Sequence, residues 1–149
     1  MTNVLSIKVK KLSDKAIVPS FAYTTDAGLD LTATSIKYDE FDNVVYGTSL
    51  AFAIPDNHVG LLFPRSSNAK KDLLLSNSVG VVDAGYRGEV FLKFKKTCGF
   101  IDNDSGSEYN IGDRVGQLVI LPIPKVNLKL VDDLDDTDRG VGAYGSSGK

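Results

Sequence analysis

Cysteine and histidine occur once each in this chain, as Cys98 and His58, and that scarcity removes much chemistry at the outset. A single cysteine allows no intrachain disulfide, in keeping with a reducing compartment. A clustered Cys/His zinc site is excluded by count, because such sites need about three or four of these ligands. A Cys/His nucleophilic pair stays formally open. Cys98, however, stands beside Gly99 in a stretch that reads as a hairpin, His58 lies in a turn-like Pro55-Asp56-Asn57-His58-Val59-Gly60, and no motif joins the two. Positive charge is not in excess either. Lys and Arg number 17 against 19 Asp and Glu, a formal net charge of -2, so there is no basic field to hold a nucleic-acid backbone and any bound anion must be held locally. No apolar run approaches the roughly 20 residues of a bilayer span. The first nine residues alternate polar and apolar where a secretory signal would show a continuous apolar block. These absences point to a soluble, intracellular chain that works without nucleic acid or membrane.

What remains is alternation. Leu5, Ile7 and Val9 alternate with polar neighbours, as do Leu50, Phe52 and Ile54, then Val90, Leu92 and Phe94, then Val126, Leu128 and Leu130, and each set reads as a half-buried strand. Residues 115–121 form a nearly continuous apolar run broken by Gly116 and Gln117, which suggests a strand buried on both faces with one polar side chain retained for a purpose. Turn residues punctuate the runs at short intervals. Only residues 67–75, with Ala69, two lysines and three leucines, suggest a helix of about two turns. The expected class is all-β, a sandwich or barrel of many short strands with at most one short helix. The 149 residues suit one domain, with no internal repeat and no linker. Residues 1–138 are read as that β domain. Residues 139–149, Arg139-Gly140-Val141-Gly142-Ala143-Tyr144-Gly145-Ser146-Ser147-Gly148-Lys149, follow an aspartate-rich segment and hold too little apolar area to order themselves. A frayed terminus explains that tail, but an arginine, an aromatic ring and Gly/Ser donors together also suit a mobile arm.

Four internal segments carry groups that need an explanation. Pro64-Arg65-Ser66-Ser67 follows an apolar strand, so a guanidinium and two hydroxyls emerge at a strand end where they can bind phosphate; a plain cap with a solvated arginine is the alternative. Gly80-Val81-Val82-Asp83-Ala84-Gly85-Tyr86-Arg87-Gly88-Glu89 reads as a hairpin that sets a carboxylate and a ring at a sheet rim, or simply as a turn built from Asp and Gly. Asp30 sits between two leucines in Ala27-Gly28-Leu29-Asp30-Leu31, where a charge is costly unless it is paired or holds water or a cation. Gly112-Asp113-Arg114-Val115-Gly116-Gln117 offers Gln117 and a further anion contact, or a turn with an Asp113/Arg114 surface pair.

These segments, with the tail, resemble in order the five motifs of the homotrimeric dUTP diphosphatases, the dUTPases. The resemblance covers most of the chain. It implies a jelly-roll-like β fold, a homotrimer whose sites take motifs from more than one subunit, and hydrolysis of dUTP to dUMP and diphosphate with Mg2+ on the triphosphate, which lowers dUTP and supplies dUMP for thymidylate synthesis. Residue by residue, Asp83 resembles the general base that deprotonates the water attacking the α-phosphorus, and Tyr86 the ring beneath deoxyribose that excludes a 2′-hydroxyl. Asn77, with the backbone of Val81, Val82 and Phe91, matches the positions that read uracil and sugar. Arg65, Ser66, Ser67 and Gln117 resemble the phosphate-side contacts. Asp30 resembles the carboxylate that holds the magnesium through its water ligands. Arg139, Tyr144, Gly145, Ser146 and Ser147 resemble the closing arm, whose ring covers uracil and whose amides and hydroxyls hold the terminal phosphate.

Two positions depart from the family pattern. Gly85 stands where an acidic residue is common, so some turn support is expected to be missing. Ala143 and Tyr144 stand where Gly and Phe are usual; the ring keeps its stacking face, while alanine takes a positive φ at greater cost than glycine. A carboxylate is also a weak base and needs charge neutralisation and in-line positioning around it. Two rival functions stay open: dCTP deamination by an enzyme of the same fold, against which Tyr86 beside Asp83 argues, and a noncatalytic dUTP-sensing module that controls a protein partner. The products formed from each deoxynucleotide discriminate among the three.

Overall fold

The computed structural model describes residues 4–97 and 108–143. Among these residues the regular structure is β1 (Lys8–Lys11), β2 (Leu29–Thr32), β3 (Ser35–Tyr38), β4 (Val44–Gly47), β5 (Leu50–Ala53), β6 (His58–Phe63), a single 3₁₀ turn (Ser66–Lys70), β7 (Leu73–Leu75), β8 (Gly80–Val82), β9 (Phe91–Lys96) and β10 (Arg114–Pro122). The all-β class expected from the alternation is the class found. One four-stranded sheet runs β2-β10-β6-β8, a second runs β3-β4-β9-β7, and β1 and β5 form a separate pair. Every pairing is antiparallel.

The apolar run at residues 115–121 becomes β10, paired with β2 on one edge and β6 on the other, but it is not buried on both faces: Val115 and Leu118 lie in the core, whereas Val119 and Ile120 are half-buried and Leu121 is exposed. Between the sheets lie fully buried Leu31, Val44, Leu73, Leu92, Val115 and Leu118. An aromatic trio joins them: Tyr46 meets Phe94 and Tyr109 edge-on, with centroids 5.8 and 5.7 Å apart, geometry that adds about 0.5–1.5 kcal/mol per pair to simple burial. The Tyr46 hydroxyl accepts the Tyr109 backbone N–H at 2.9 Å, which satisfies the one polar end of that ring. Among the described residues no helix is long and apolar enough to cross a membrane.

Three further local expectations are corrected. The helix expected over residues 67–75 is only the 3₁₀ turn, and its three leucines form β7 with Leu73 and Leu75 buried and Leu74 outward. So short a helix is marginal in water, whereas pairing with β9 buries two leucines in the core. The alternating Val126, Leu128 and Leu130 do not form a strand; all three are exposed, and among the described residues no strand pairs with them to complete a ladder. The hairpin expected around residues 80–89 is a crossover. β8 pairs with β6 and β9 pairs with β4 and β7, so the intervening chain passes from one sheet to the other.

Candidate active site

Strand register gathers the first group of polar residues. In β10, Gln117 lies opposite Asp30 of β2 on one side and Phe63 of β6 on the other. Arg65 follows β6 after Pro64 and turns back to Asp30. The Asp30 carboxylate accepts Arg65 Nε at 2.8 Å on one oxygen and Arg114 Nη1 at 2.9 Å on the other, so the charge on an apolar strand is paired twice, as its position demands. Gln117 Nε2 donates to the Pro64 carbonyl at 3.1 Å. A side chain on Gly28, just before β2, would meet the Gln117 amide and displace it from this bond. Two guanidinium groups and one carboxylate leave a net positive locus, bordered by the exposed hydroxyls of Ser66 and Ser67 in the 3₁₀ turn. Arg65 Nη1 lies 3.4 Å from Ser67 Oγ. Behind the turn, the Tyr109 hydroxyl donates to Asn68 Oδ1 at 3.1 Å; burial raises the pKa of that phenol, against the opposing pull of Ser67 and Arg65.

No group of three or more His, Cys, Asp or Glu among the described residues converges to cage a metal. The donor set fits an ion that keeps its waters and takes its remaining ligands from a phosphate chain, as magnesium does. Each Asp30 oxygen accepts one guanidinium N–H, which leaves lone-pair capacity for such a water.

A second group surrounds a cavity of about 320 Å³ and brings together Asn77, Val81, Val82, Asp83, Tyr86 and Phe91. Its volume is in the usual range for a small-molecule site. β8 is the end strand of its sheet, so one side of its backbone faces away from any strand partner and can present alternating donors and acceptors to a ligand. After β8 the chain turns tightly, with Tyr86 N–H donating to the Asp83 carbonyl at 3.0 Å. The Tyr86 phenol donates to the Glu89 carbonyl at 2.9 Å, which fixes the ring across the turn. Arg87 closes the same turn by donating to the carbonyls of Ala84 at 2.6 Å and Tyr86 at 2.9 Å. Asp83 is left exposed at the cavity rim. A side chain at Gly85 would meet nothing within 4 Å, so the turn has its support from Arg87 and Tyr86 without an acidic residue at that place.

The family model for dUTPase matches residues 14–148. The chain belongs to the dUTPase family. It is 42% identical over 152 residues to a deoxyuridine 5'-triphosphate nucleotidohydrolase of Rhodococcus erythropolis, covering 99% of this chain and 89% of that one. The corresponding protein of Corynebacterium glutamicum is 38% identical, covering 100% and 99%. Among solved structures, a Staphylococcus bacteriophage 80alpha dUTPase with dUPNHPP superposes with a TM-score of 0.82 at 29% identity, covering 98% of this chain and 100% of that one. A dUTPase mutant from phage phi11 of S. aureus, described with a structural Mg(II) ion, gives 0.71 at 31% identity over 87% and 98%.

Within this dUTPase the residues expected at the site fall into three sets. Asp30, Arg65, Ser66, Ser67 and Gln117 converge, and so do Asn77, Val81, Val82, Asp83, Tyr86 and Phe91. Arg139 is not brought to either group: its Nε donates to the Gly142 carbonyl at 3.0 Å within its own turn. Tyr144, Gly145, Ser146 and Ser147 lie outside the described residues, as does Cys98. His58 Nδ1 stands 3.0 Å from the Asp56 carbonyl in its turn. Sequence reading offered an Asp113/Arg114 surface pair only as the alternative to an anion contact and missed the bond from Arg114 to Asp30, while Asp113 accepts the Asn110 N–H at 2.7 Å. It also missed Glu89, whose Oε1 accepts the Ser49 N–H at 2.7 Å and pins the far end of the crossover.

Proposed function

We propose that this chain hydrolyses dUTP to dUMP and diphosphate by attack of water on the α-phosphorus, with Asp83 as general base. The gathering of Asn77, Val81, Val82, Asp83, Tyr86 and Phe91 around one cavity carries this reading. Uracil offers an N–H between two carbonyls, a pattern that the free backbone edge of β8 and the Asn77 amide match. The Tyr86 ring, tied to Glu89, fills the space below deoxyribose where a ribose 2′-hydroxyl would point. At the cavity rim the Asp83 carboxylate orients a water and takes its proton as the new P–O bond forms; diphosphate leaves with the electrons of the bond that breaks. Arg65, Ser66, Ser67 and Gln117 donate to phosphate oxygens, where charge-assisted hydrogen bonds are worth most. Asp30 would hold a triphosphate-bound magnesium through water ligands. When bound, magnesium supplies charge neutralisation on the triphosphate.

The cavity and the Asp30 locus are two half-sites. No hydrogen bond or ion pair joins them among the described residues. That separation, together with the exposed apolar side chains of residues 123–134, supports a homotrimer in which one subunit's cavity meets another's arginine locus and residues 139–149 close the site as an arm.

The deciding measurement is product analysis with dUTP, dCTP and UTP, with and without magnesium. We expect dUMP and diphosphate from dUTP only, dependence on magnesium, and heavy-oxygen label from water in dUMP. Ammonia from dCTP would overturn the reading in favour of a deaminase, and tight dUTP binding without turnover in favour of a sensing module. Equal kcat/KM for dUTP and UTP would make Tyr86 a turn residue only.

A further inference from the structure

We infer that Asn43, oriented by Asp39, is a positioning residue for the base-reading loop, acting on Asn77 from behind the cavity wall through Ser76. The inference rests on the reading of the cavity as the deoxyuridine site.

Asn43 lies at the turn between β3 and β4 and is 6% exposed. Its amide is committed on both ends. Nδ2 donates to Asp39 Oδ1 at 3.1 Å and Oδ2 at 3.0 Å, and its backbone N–H donates to Oδ1 at 3.0 Å. A carboxylate only accepts, so it draws the Nδ2 end toward itself and aims the amide oxygen the other way. That oxygen accepts from Ser76 Oγ at 2.7 Å. Asp39 also accepts the Phe41 N–H at 3.0 Å and Lys93 Nζ at 3.2 Å. Ser76 and Lys93 both line the cavity, and the Ser76 N–H donates to the Lys93 carbonyl at 2.8 Å. One carboxylate thus holds two adjoining pieces of the wall, Lys93 directly and Ser76 through Asn43.

The loop that follows Ser76 needs such an anchor. Asn77 comes next in the chain, and Ser78 after it has φ +61, a left-handed conformation that is costly outside glycine and persists only when the surroundings impose it. Uracil and cytosine differ in the donors and acceptors along one edge, so distinguishing them requires an amide held to a fraction of an ångström. The relay supplies this to Asn77 without touching the nucleotide. Its effect therefore lies in base affinity and selectivity, and not in chemistry at phosphorus.

The test compares Ser76→Ala, Asp39→Asn, their double variant and Ser76→Thr for kcat, KM and the ratio of kcat/KM for dUTP over dCTP. Each single variant should raise the dUTP KM about five- to tenfold, the size of one lost hydrogen bond, with a smaller fall in kcat and a lower dUTP/dCTP ratio. The double variant should be no worse than the worse single, because both cut one chain of contacts. Ser76→Thr, which keeps the hydroxyl, should restore the parental KM. Multiplying effects in the double, an Asp39→Asn with parental KM and ratio, or a loss of melting temperature with KM unchanged would each overturn the relay. A parent that makes no dUMP from dUTP would instead overturn the reading of the site itself.

Discussion

Asp83 and Asp39 are both aspartates near the cavity, but their surroundings set them different tasks. Asp83 stands exposed at the rim, beyond the Tyr86 turn, free to meet a water. Asp83→Asn keeps the shape and removes the base, so turnover should fall by about 10²- to 10⁴-fold while binding of a nonhydrolysable dUTP analogue persists. Turnover within about twofold of the parent rejects the assignment. Asp39 is instead consumed by its neighbours. Burial opposes its ionisation, yet hydrogen bonds from the Asn43 side chain, the backbones of Asn43 and Phe41, and Lys93 outweigh it and bring its pKa from 3.8 down to about 2. A carboxylate depressed on folding contributes stability that is present above its unfolded pKa and lost as pH falls through the folded one. The window here is from about 3.8 to about 2. Asp39→Asn should melt below the parent at neutral pH, and the gap should close as pH drops through this window. Glu108, whose pKa is also lowered against the effect of burial by Lys96 and Tyr38, leaves both proteins some acid sensitivity. A gap that stays constant down to the lowest pH at which both fold would contradict the assignment.

At the scale of elements, β8 matters more than its three residues suggest, because it forms a cavity wall while pairing only with β6. Gly80 stands opposite Leu62 in that pairing, and a Cβ there would lie 2.9 Å from the Leu62 Cβ, which cannot swing away. Gly80→Ala should therefore push β8 off β6, cost about 1–3 kcal/mol as overpacking does, and raise the dUTP KM because Val81, Val82 and Asp83 move with it. A urea midpoint and KM both at parental values would show that the strand has room to adjust. The alternation of apolar residues made β1, β5 and β9 legible in the sequence and the continuous apolar run made β10 so, while the order of the polar segments pointed to the candidate site. Pairing was not legible. Residues 80–89 have the turn chemistry of a hairpin, and nothing local records that β9 joins a different sheet. Arg114 was hidden for another reason. It lies three residues before Gln117, which on a regular strand puts the two on opposite faces, but a register shift between Arg114 and Gly116 brings the arginine to Asp30 beside Gln117. The Asp39–Asn43–Ser76 relay was invisible because its members are ordinary polar residues joined only by tertiary contact.

The whole molecule leaves a run of apolar side chains in solvent along residues 123–134. Leu128 and Leu130 are 90% and 98% exposed on a stretch without regular structure, more apolar surface in sequence than a solitary subunit ordinarily leaves in water. Burial against other copies of the chain would account for it, and we expect trimers by light scattering at micromolar concentration. Residues 139–149 differ from that stretch. They hold Arg139, Tyr144 and Gly/Ser donors with little apolar content, and Arg139 is bonded only within its own turn among the described residues. Truncation before Arg139 should accordingly leave a folded trimer of parental melting temperature whose activity is severely reduced, since closure over base and terminal phosphate is lost while assembly is kept. Within the arm, Tyr144→Ala should weaken dUTP binding by about 1–3 kcal/mol if the ring stacks on uracil, and Tyr144→Phe should be nearly silent because the stacking face is kept. Melting temperature, oligomer mass and kcat/KM measured together on the three variants separate the alternatives. Parental kcat/KM after truncation would remove the arm from the mechanism. A truncated chain that dissociates to monomers would place the trimer contact in these last residues instead of in residues 123–134, and one that does not fold would make the arm a structural segment.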